Sequence, residues 1–195
     1  MIEVTKINIP TDFIKDVLED VRIPFGIETG SQKRMKTLAN SDDGGDRKLL
    51  RHLPITCKIK APLAWWIEFD TYKVGCNRYS SSVMHTLLKT GFKPEMFEFD
   101  NDYLGLKKEV ATFIITKYAT ISRAYETKNI TVGEAKELLK SIIPGNFYYT
   151  SRVTLNYEVL RHIYKQRKNH QLRWWHEFID AFKDIPYYKE FIKGE

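Results

Sequence analysis

The sequence predicts an α+β fold: a modest mixed sheet covered by helices, with a helical C-terminal half, in a single domain spanning residues 1–195. Three observations predict it. The segments Glu3–Ile9 and Leu53–Lys60 alternate apolar and polar residues, as half-buried strands do. Each leads into a stretch whose apolar residues recur at helical spacing. From Leu104 onward the helical spacing dominates, which suits a small sheet packed under several helices. A chain of 195 residues with 43% hydrophobic and 29% charged residues has room for a real core and the composition of a globular protein.

The elements follow in order. Pro10 ends the first strand, because it has no N–H to give a ladder. Thr11-Asp12 supplies cap residues for a helix from Phe13 to about Val21, with Phe13, Val17 and Val21 on one face. Pro24-Phe25-Gly26 breaks it, and Ser31–Ala39 reads as a short helix. Asn40-Ser-Asp-Asp-Gly-Gly45 is the clearest loop. After the second strand, Lys60-Ala-Pro62 turns into a helix with a heavy apolar face of Trp65, Trp66 and Phe69, and Pro62 is tolerated in its first turn. Val74–Ser82 reads as a loop and Ser82–Thr90 as a short helix. Leu104–Thr127 carries Val110, Phe113, Ile114, Tyr118 and Ile121 at helical spacing. Thr131 with Glu134 three residues on fits a capping box for a helix running to about Ile143, which Pro144-Gly145 stops. Phe147–Tyr149 is aromatic and extended. Thr154–Phe178 reads as one long helix or two abutting ones, and Pro186-Tyr-Tyr opens a short terminal helix.

The formal charge of +6 and pI near 9.1 suit an anionic partner, or simply a basic surface. The basic residues are spread along the chain, so no dedicated nucleic-acid site is evident. No run approaches the roughly 18 apolar residues that cross a bilayer, and the start carries no secretory pattern. With two cysteines, Cys57 and Cys76, in no framework spacing, the expectation is a cytoplasmic protein with reduced thiols and no membrane partner. The five histidines show no metal-ligand spacing, so no metal is expected, and neither a P-loop nor a GxGxxG is present.

The chemistry-bearing residues concentrate in the last third. Asn156, His162, Arg167, Asn169, His170 and Gln171 fall close together, beside apolar Leu155, Leu160, Ile163 and Trp174. Polar groups beside an apolar stripe suit a planar, anionic ligand. The opposite reading makes Arg167 a solvated or salt-bridged helix arginine, Asn156 a helix cap, and His162 and His170 surface residues. The Thr154-Leu-Asn156 stretch, followed by Leu160 and Arg167, resembles the closing motif of the flavin-dependent thymidylate synthases. Lys60-Ala-Pro62 resembles the entry to that family's substrate helix. Lys140-Ser-Ile-Ile-Pro144, followed by Asn146 and Tyr149, resembles its Arg-hydrophobic-hydrophobic-Leu-Pro and Pro-x-Asn-x-Tyr stretches. The resemblance covers about two-thirds of the chain.

The family's signature runs Arg-His-Arg, two residues, Ser, one residue, Asn-Glu, one residue, Ser, one residue, Arg. It falls on Thr71–Val83 and keeps only its second serine, Ser81, with Lys73 in place of an arginine. Thr71, Tyr72, Cys76, Arg78, Tyr79 and Val83 depart from it. The upstream flavin-binding stretch reads Asp46-Arg-Lys-Leu-Leu-Arg-His52, where only His52 matches.

The resemblance implies methylation of dUMP at C5, with methylenetetrahydrofolate as carbon donor and with FAD and NADPH as redox cofactors, in a homotetramer. It assigns Arg167 as the catalytic polariser of the pyrimidine. It assigns Ser81, Lys140 and Arg167 to the pyrimidine deoxynucleotide, with Arg78 standing in, five residues early, for the arginine replaced by Val83, and Lys73, Asn156, His162, His170 and Gln171 to the cofactor. A guanidinium gives two-pronged contacts that Thr71 and Lys73 do not reproduce, so the departures predict weak FAD binding. Two other readings stay open. One is a related pyrimidine-nucleotide enzyme with altered cofactor use, and the other is a non-catalytic nucleotide-binding scaffold.

Overall fold

The computed structural model describes residues 1–20 and 32–195; Val21, the Pro24-Phe25-Gly26 break and Ser31 lie outside them. Strands are β1 (Glu3–Asn8), β2 (Pro54–Pro62), β3 (Asn77–Ser80) and β4 (Tyr148–Asn156). Helices are α1 (Thr11–Glu19), α2 (Gln32–Asn40), α3 (Lys48–Arg51), α4 (Leu63–Phe69), α5 (Val83–Thr90), α6 (Leu106–Glu126), α7 (Val132–Ser141), α8 (Tyr157–Arg167) and α9 (Arg173–Asp180). The fold is α+β, and the strands form one antiparallel sheet in the order β1-β2-β4-β3.

The chain divides into two compact units, Met1 with Lys60–Glu68 and Ser80–Thr150, and Ile2–Ile59 with Phe69–Tyr79 and Ser151–Glu195. The first unit is built on α5, α6 and α7. Its core gathers Leu87, Phe92, Phe97, Ala111, Ile114, Leu139 and Phe147, with Phe92, Phe97 and Phe147 meeting ring to ring. Gly91 ends α5 at φ +68°, where a Cβ would meet the Tyr118 ring at 2.9 Å, so only glycine lets α5 close on α6. Thr131 and Glu134 form the expected capping box of α7. The same unit buries the Glu98 carboxylate between the Lys107 ammonium and the Met1 amine.

The second unit carries most of the sheet. Its inward face is read directly from the pleat: Ile55, Cys57 and Ile59 on β2 alternate with exposed or half-exposed Thr56 and Lys58. On β4, Ser151, Val153 and Leu155 are inward and Arg152 and Thr154 outward. The same unit buries Leu160 and Ile163 of α8 and Trp175 and Phe178 of α9. The C-terminal turn Tyr188–Lys193 is a π-helical one packed on α8, and it is held by the Arg161 guanidinium donating to Phe191 O at 2.9 Å.

Local expectations needed correction in five places. Val74–Ser82 is not all loop: β3 forms there, because its partner is distant β4, which local pattern does not reveal. The helix α3 forms just beyond the Asn40–Gly45 loop. α1 starts at Thr11 with Pro10 as its cap residue, and Ile14 is its buried residue while Phe13 is exposed. Pro62 closes β2 rather than opening α4. The Thr154–Phe178 segment is the end of β4 and two helices, parted at Lys168–Leu172.

Candidate functional site

The loop between α4 and β3 occupies the place of the Arg-His-Arg group, and its middle residue turns inward. Asp70–Tyr72 makes a 3-10 turn after α4, leaving Thr71 and Lys73 exposed and Tyr72 6% exposed. Gly75 follows at φ +85°, and a Cβ there would lie 2.9 Å from Val159 Cγ2 and 3.2 Å from Asn156 Nδ2. Glycine is what allows this loop to close against the start of α8.

Arg167, the last residue of α8, meets Tyr72. Its Nε–H donates to the Tyr72 hydroxyl at 2.8 Å, and that hydroxyl donates to Gln166 Oε1 at 2.8 Å. The guanidinium carbon stands 4.6 Å from the centre of the Trp175 ring. Tyr72 and Trp175 meet edge to face at 5.7 Å, and His162 meets Tyr72 likewise at 5.8 Å. His170 adds an edge contact to Trp175 at 6.3 Å. Arg167, His162 and His170 are thus linked through two aromatic residues, Tyr72 and Trp175. In sequence Tyr72 shows only as the residue standing in place of the signature's histidine. The two aromatic side chains are assembled by contacts that no local spacing announces.

Several of these polar groups are engaged by the chain itself. Asn156 accepts from Val159 N–H at 3.0 Å and so caps α8, as the alternative reading held. His170 Nδ1 accepts from Leu172 N–H at 3.2 Å. The Nε2 of His176 lies 2.6 Å from His170 O; a carbonyl only accepts, so the imidazole donates there. Arg78 forms an ion pair with Asp70 at 3.1 Å. Lys73 and Gln171 are exposed. Ser81 and Lys140 belong to the first unit and Arg167 to the second. Ser81 is exposed, its hydroxyl 3.4 Å from Thr150 O, and Lys140 is exposed in the last turn of α7. Among the described residues no three metal-ligating side chains gather, and no helix is long and apolar enough to cross a membrane.

These contacts bear on a flavin dinucleotide, whose diphosphate needs cationic or N–H donors. In the loop that replaces Arg-His-Arg, Tyr72 is buried, Arg78 is neutralised by Asp70, and Lys73 is a single point charge. Asn156 and His170 already spend one hydrogen-bonding atom each on the backbone. The residues present do not fit the diphosphate of FAD.

No family model matches the sequence, and no curated protein matches it. Solved structures do. The flavin-dependent thymidylate synthase ThyX of Helicobacter pylori, solved with FAD and dUMP, aligns over 98% of this chain and 97% of its own, with a TM-score of 0.66 and 16% identity. A second structure of ThyX from H. pylori, also complexed with FAD and dUMP, gives 97% and 97%, a TM-score of 0.65 and 15% identity. At such identity the likeness speaks of the fold, and the chain has the fold of the flavin-dependent thymidylate synthases.

Proposed function

We propose that the chain binds a pyrimidine deoxynucleoside monophosphate, dUMP in the first instance, and acts at its C5 as a divergent thymidylate synthase. The observation that carries the reading is Arg167, the residue the resemblance assigns to the base, held in one place by the Tyr72 hydroxyl at 2.8 Å and the Trp175 face at 4.6 Å. C5 of a uracil becomes nucleophilic as negative charge gathers on the ring carbonyls. A positioned guanidinium favours that distribution, and it does so most when it need not reorganise. The ThyX structures of the same fold were solved with dUMP. Phosphate contacts from Ser81 and Lys140 follow from the resemblance alone. The methyl carbon in the family comes from methylenetetrahydrofolate, and FAD with NADPH supplies the reducing equivalents. This chain's residues support the nucleotide half of that chemistry better than the flavin half.

A second reading, a nucleotide-binding scaffold without catalysis, is favoured by one specific feature, the burial of Tyr72 where the family places a flavin-binding histidine. Titration calorimetry with dUMP, dCMP and dTMP, on wild type and Arg167→Ala, tests the common core of both. Binding of dUMP that falls about tenfold or more in Arg167→Ala is expected, since hydrogen bonds to charged groups carry about that much. No nucleotide binding, or equal binding by Arg167→Ala, would refute it. Release of tritium from C5-tritiated dUMP, with added folate donor, FAD and NADPH, separates the enzyme from the scaffold. A purified protein with little flavin absorbance, slow to take up added FAD, is also expected. Tight stoichiometric FAD would overturn the reading of the Thr71–Lys73 loop.

A further inference from the structure

Three imidazoles stand in or beside the Arg167 cluster, and two of them have structural duties. His170 accepts the Leu172 N–H at Nδ1, and His176 donates from Nε2 to His170 O. His162 has no such duty. It is exposed on α8 and meets Tyr72 edge to face at 5.8 Å. Among the described residues, neither of its ring nitrogens has a hydrogen-bond partner. The resemblance gives this position to the flavin, but the loop beside it does not fit the flavin's diphosphate. An imidazole with both nitrogens uncommitted is left next to the residue assigned to polarise the base.

Helical spacing sets the arrangement. His162 and Gln166 are four residues apart on α8 and so share a face, and Arg167 follows Gln166. Tyr72 lies over that face, with its hydroxyl on Gln166 and Arg167 and its ring on His162. All of these residues belong to the second unit. The Arg167 guanidinium carbon is 5.7 Å and the His162 ring centre 5.8 Å from the centre of the same Tyr72 ring. One pyrimidine with contacts at its two ends bridges a gap of that order. C2 and C5 are opposite corners of a pyrimidine, so a base whose C2 carbonyl meets Arg167 points C5 away from the guanidinium. Substitution at C5 also needs a base, because the C5 hydrogen must leave as a proton. Arg167 stays protonated, and the Tyr72 hydroxyl is committed to Gln166. His162 is the group on this face that is able to take a proton.

We propose that His162 is the general base that takes the C5 proton of the pyrimidine. The inference rests on the C5 reading proposed above. The electrophile is the methylene carbon of the folate donor in its iminium form. The C5=C6 π pair forms the new bond from C5 to that carbon, and the iminium π pair moves onto the donor's nitrogen. C6 is left electron-poor and is stabilised by the N1 lone pair. An unprotonated nitrogen of His162 then takes the C5 proton, and the C5–H pair re-forms the C5=C6 double bond. The imidazolium passes its proton to water. Nothing is oxidised or reduced in this step, so it draws no electrons from a cofactor.

The experiment uses the full chain and two readouts. Calorimetry gives dUMP affinity, and tritium released from C5-tritiated dUMP in the presence of methylenetetrahydrofolate, with and without FAD and NADPH, gives the rate of the C5 step. Wild type is compared with His162→Asn, His162→Ala and Arg167→Ala, and thermal melts check that each variant is folded. The expected result is that both His162 variants bind dUMP as wild type does and release tritium about a hundredfold more slowly. Free imidazole added to His162→Ala should restore part of the rate and should do nothing for His162→Asn, an effect that a merely structural histidine does not give. Arg167→Ala should lose affinity as well as rate. Tritium release by the His162 variants at the wild-type rate overturns the base and leaves the C5 reading standing. Loss of dUMP affinity in the His162 variants that accounts for their lost rate makes His162 a binding contact and also overturns the base. A wild type that binds dUMP and releases no tritium under either condition overturns the C5 reading, and the base with it. A wild type that binds no nucleotide overturns both.

Discussion

Arg167 shows how a single side chain changes meaning with its neighbours. On α8 alone it is a helix-end arginine, favourable near the C-terminal dipole. Beside the Tyr72 hydroxyl and the Trp175 ring it becomes a charge with a fixed address. The two cysteines illustrate the opposite case. Cys57 lies fully buried on the inward face of β2, and burial pushes its thiol up from 9.0 to about 12. Cys76 is pushed up to about 12 as well, by burial first and then by the Asp70 carboxylate. Neither is a nucleophile at neutral pH, because the thiolate is the reactive form. The unfolded thiols ionise near 9.0 and the folded ones near 12, so between those values the unfolded state holds fewer protons and stability falls as pH rises. Urea midpoints measured upward from pH 8 should decline, and Cys57→Ala should flatten the decline. A midpoint independent of pH across that window would contradict the burial of Cys57.

Among the elements, α8 is the one whose cap doubles as a test of function. Asn156 was read both as a helix cap and as a cofactor contact, and its Oδ1 receives the Val159 N–H. Asn156→Ala should lower stability by about 1 kcal/mol, the usual cost of a lost N-cap. Asn156→Asp, which keeps the acceptor, should restore most of it in urea titrations. Loss of stability in the aspartate form equal to that in alanine would show that the Nδ2 side, facing Gly75, matters more than the cap. How far the elements could be read in advance follows the range of the interactions that make them. The capping box at Thr131 and Glu134 was legible because its whole signal spans three residues; the Thr131 N–H, donating to Glu134, also holds that carboxyl below its ordinary value. The strand β3 and the helix α3 were not legible, because β3 exists by virtue of β4 and α3 packs on α8. The motif region was legible as a set of departures, but not the inward turn of Tyr72, which needed its partners Gln166 and Arg167.

For the molecule as a whole, the fold was legible and the assembly is the open prediction. We propose that the homotetramer implied by the resemblance buries a stripe on α6. Leu106, Val110 and Phe113 recur at i, i+4 and i+7 and are exposed, while Ala111 and Ile114 on the adjoining face are buried in the core. An apolar stripe of this kind, beside exposed Tyr103 and Leu104, marks an interaction surface. Light scattering at micromolar concentration should give the tetramer mass, and Val110→Glu with Phe113→Glu should lower it. A wild-type monomer would overturn the proposal. The division of the chain carries a separate consequence for how the protein is made. The unit that holds Arg167 is assembled from three stretches, Ile2–Ile59, Phe69–Tyr79 and Ser151–Glu195, so its central β2–β4 pairing waits for the last of them. Loop closure over so long a separation is slow. During translation the Ser80–Thr150 stretch emerges and begins to pack first, while β2 stands with its edge unpaired until β4 follows. A nascent chain halted after Thr150 is therefore the species most exposed to aggregation and to chaperone capture.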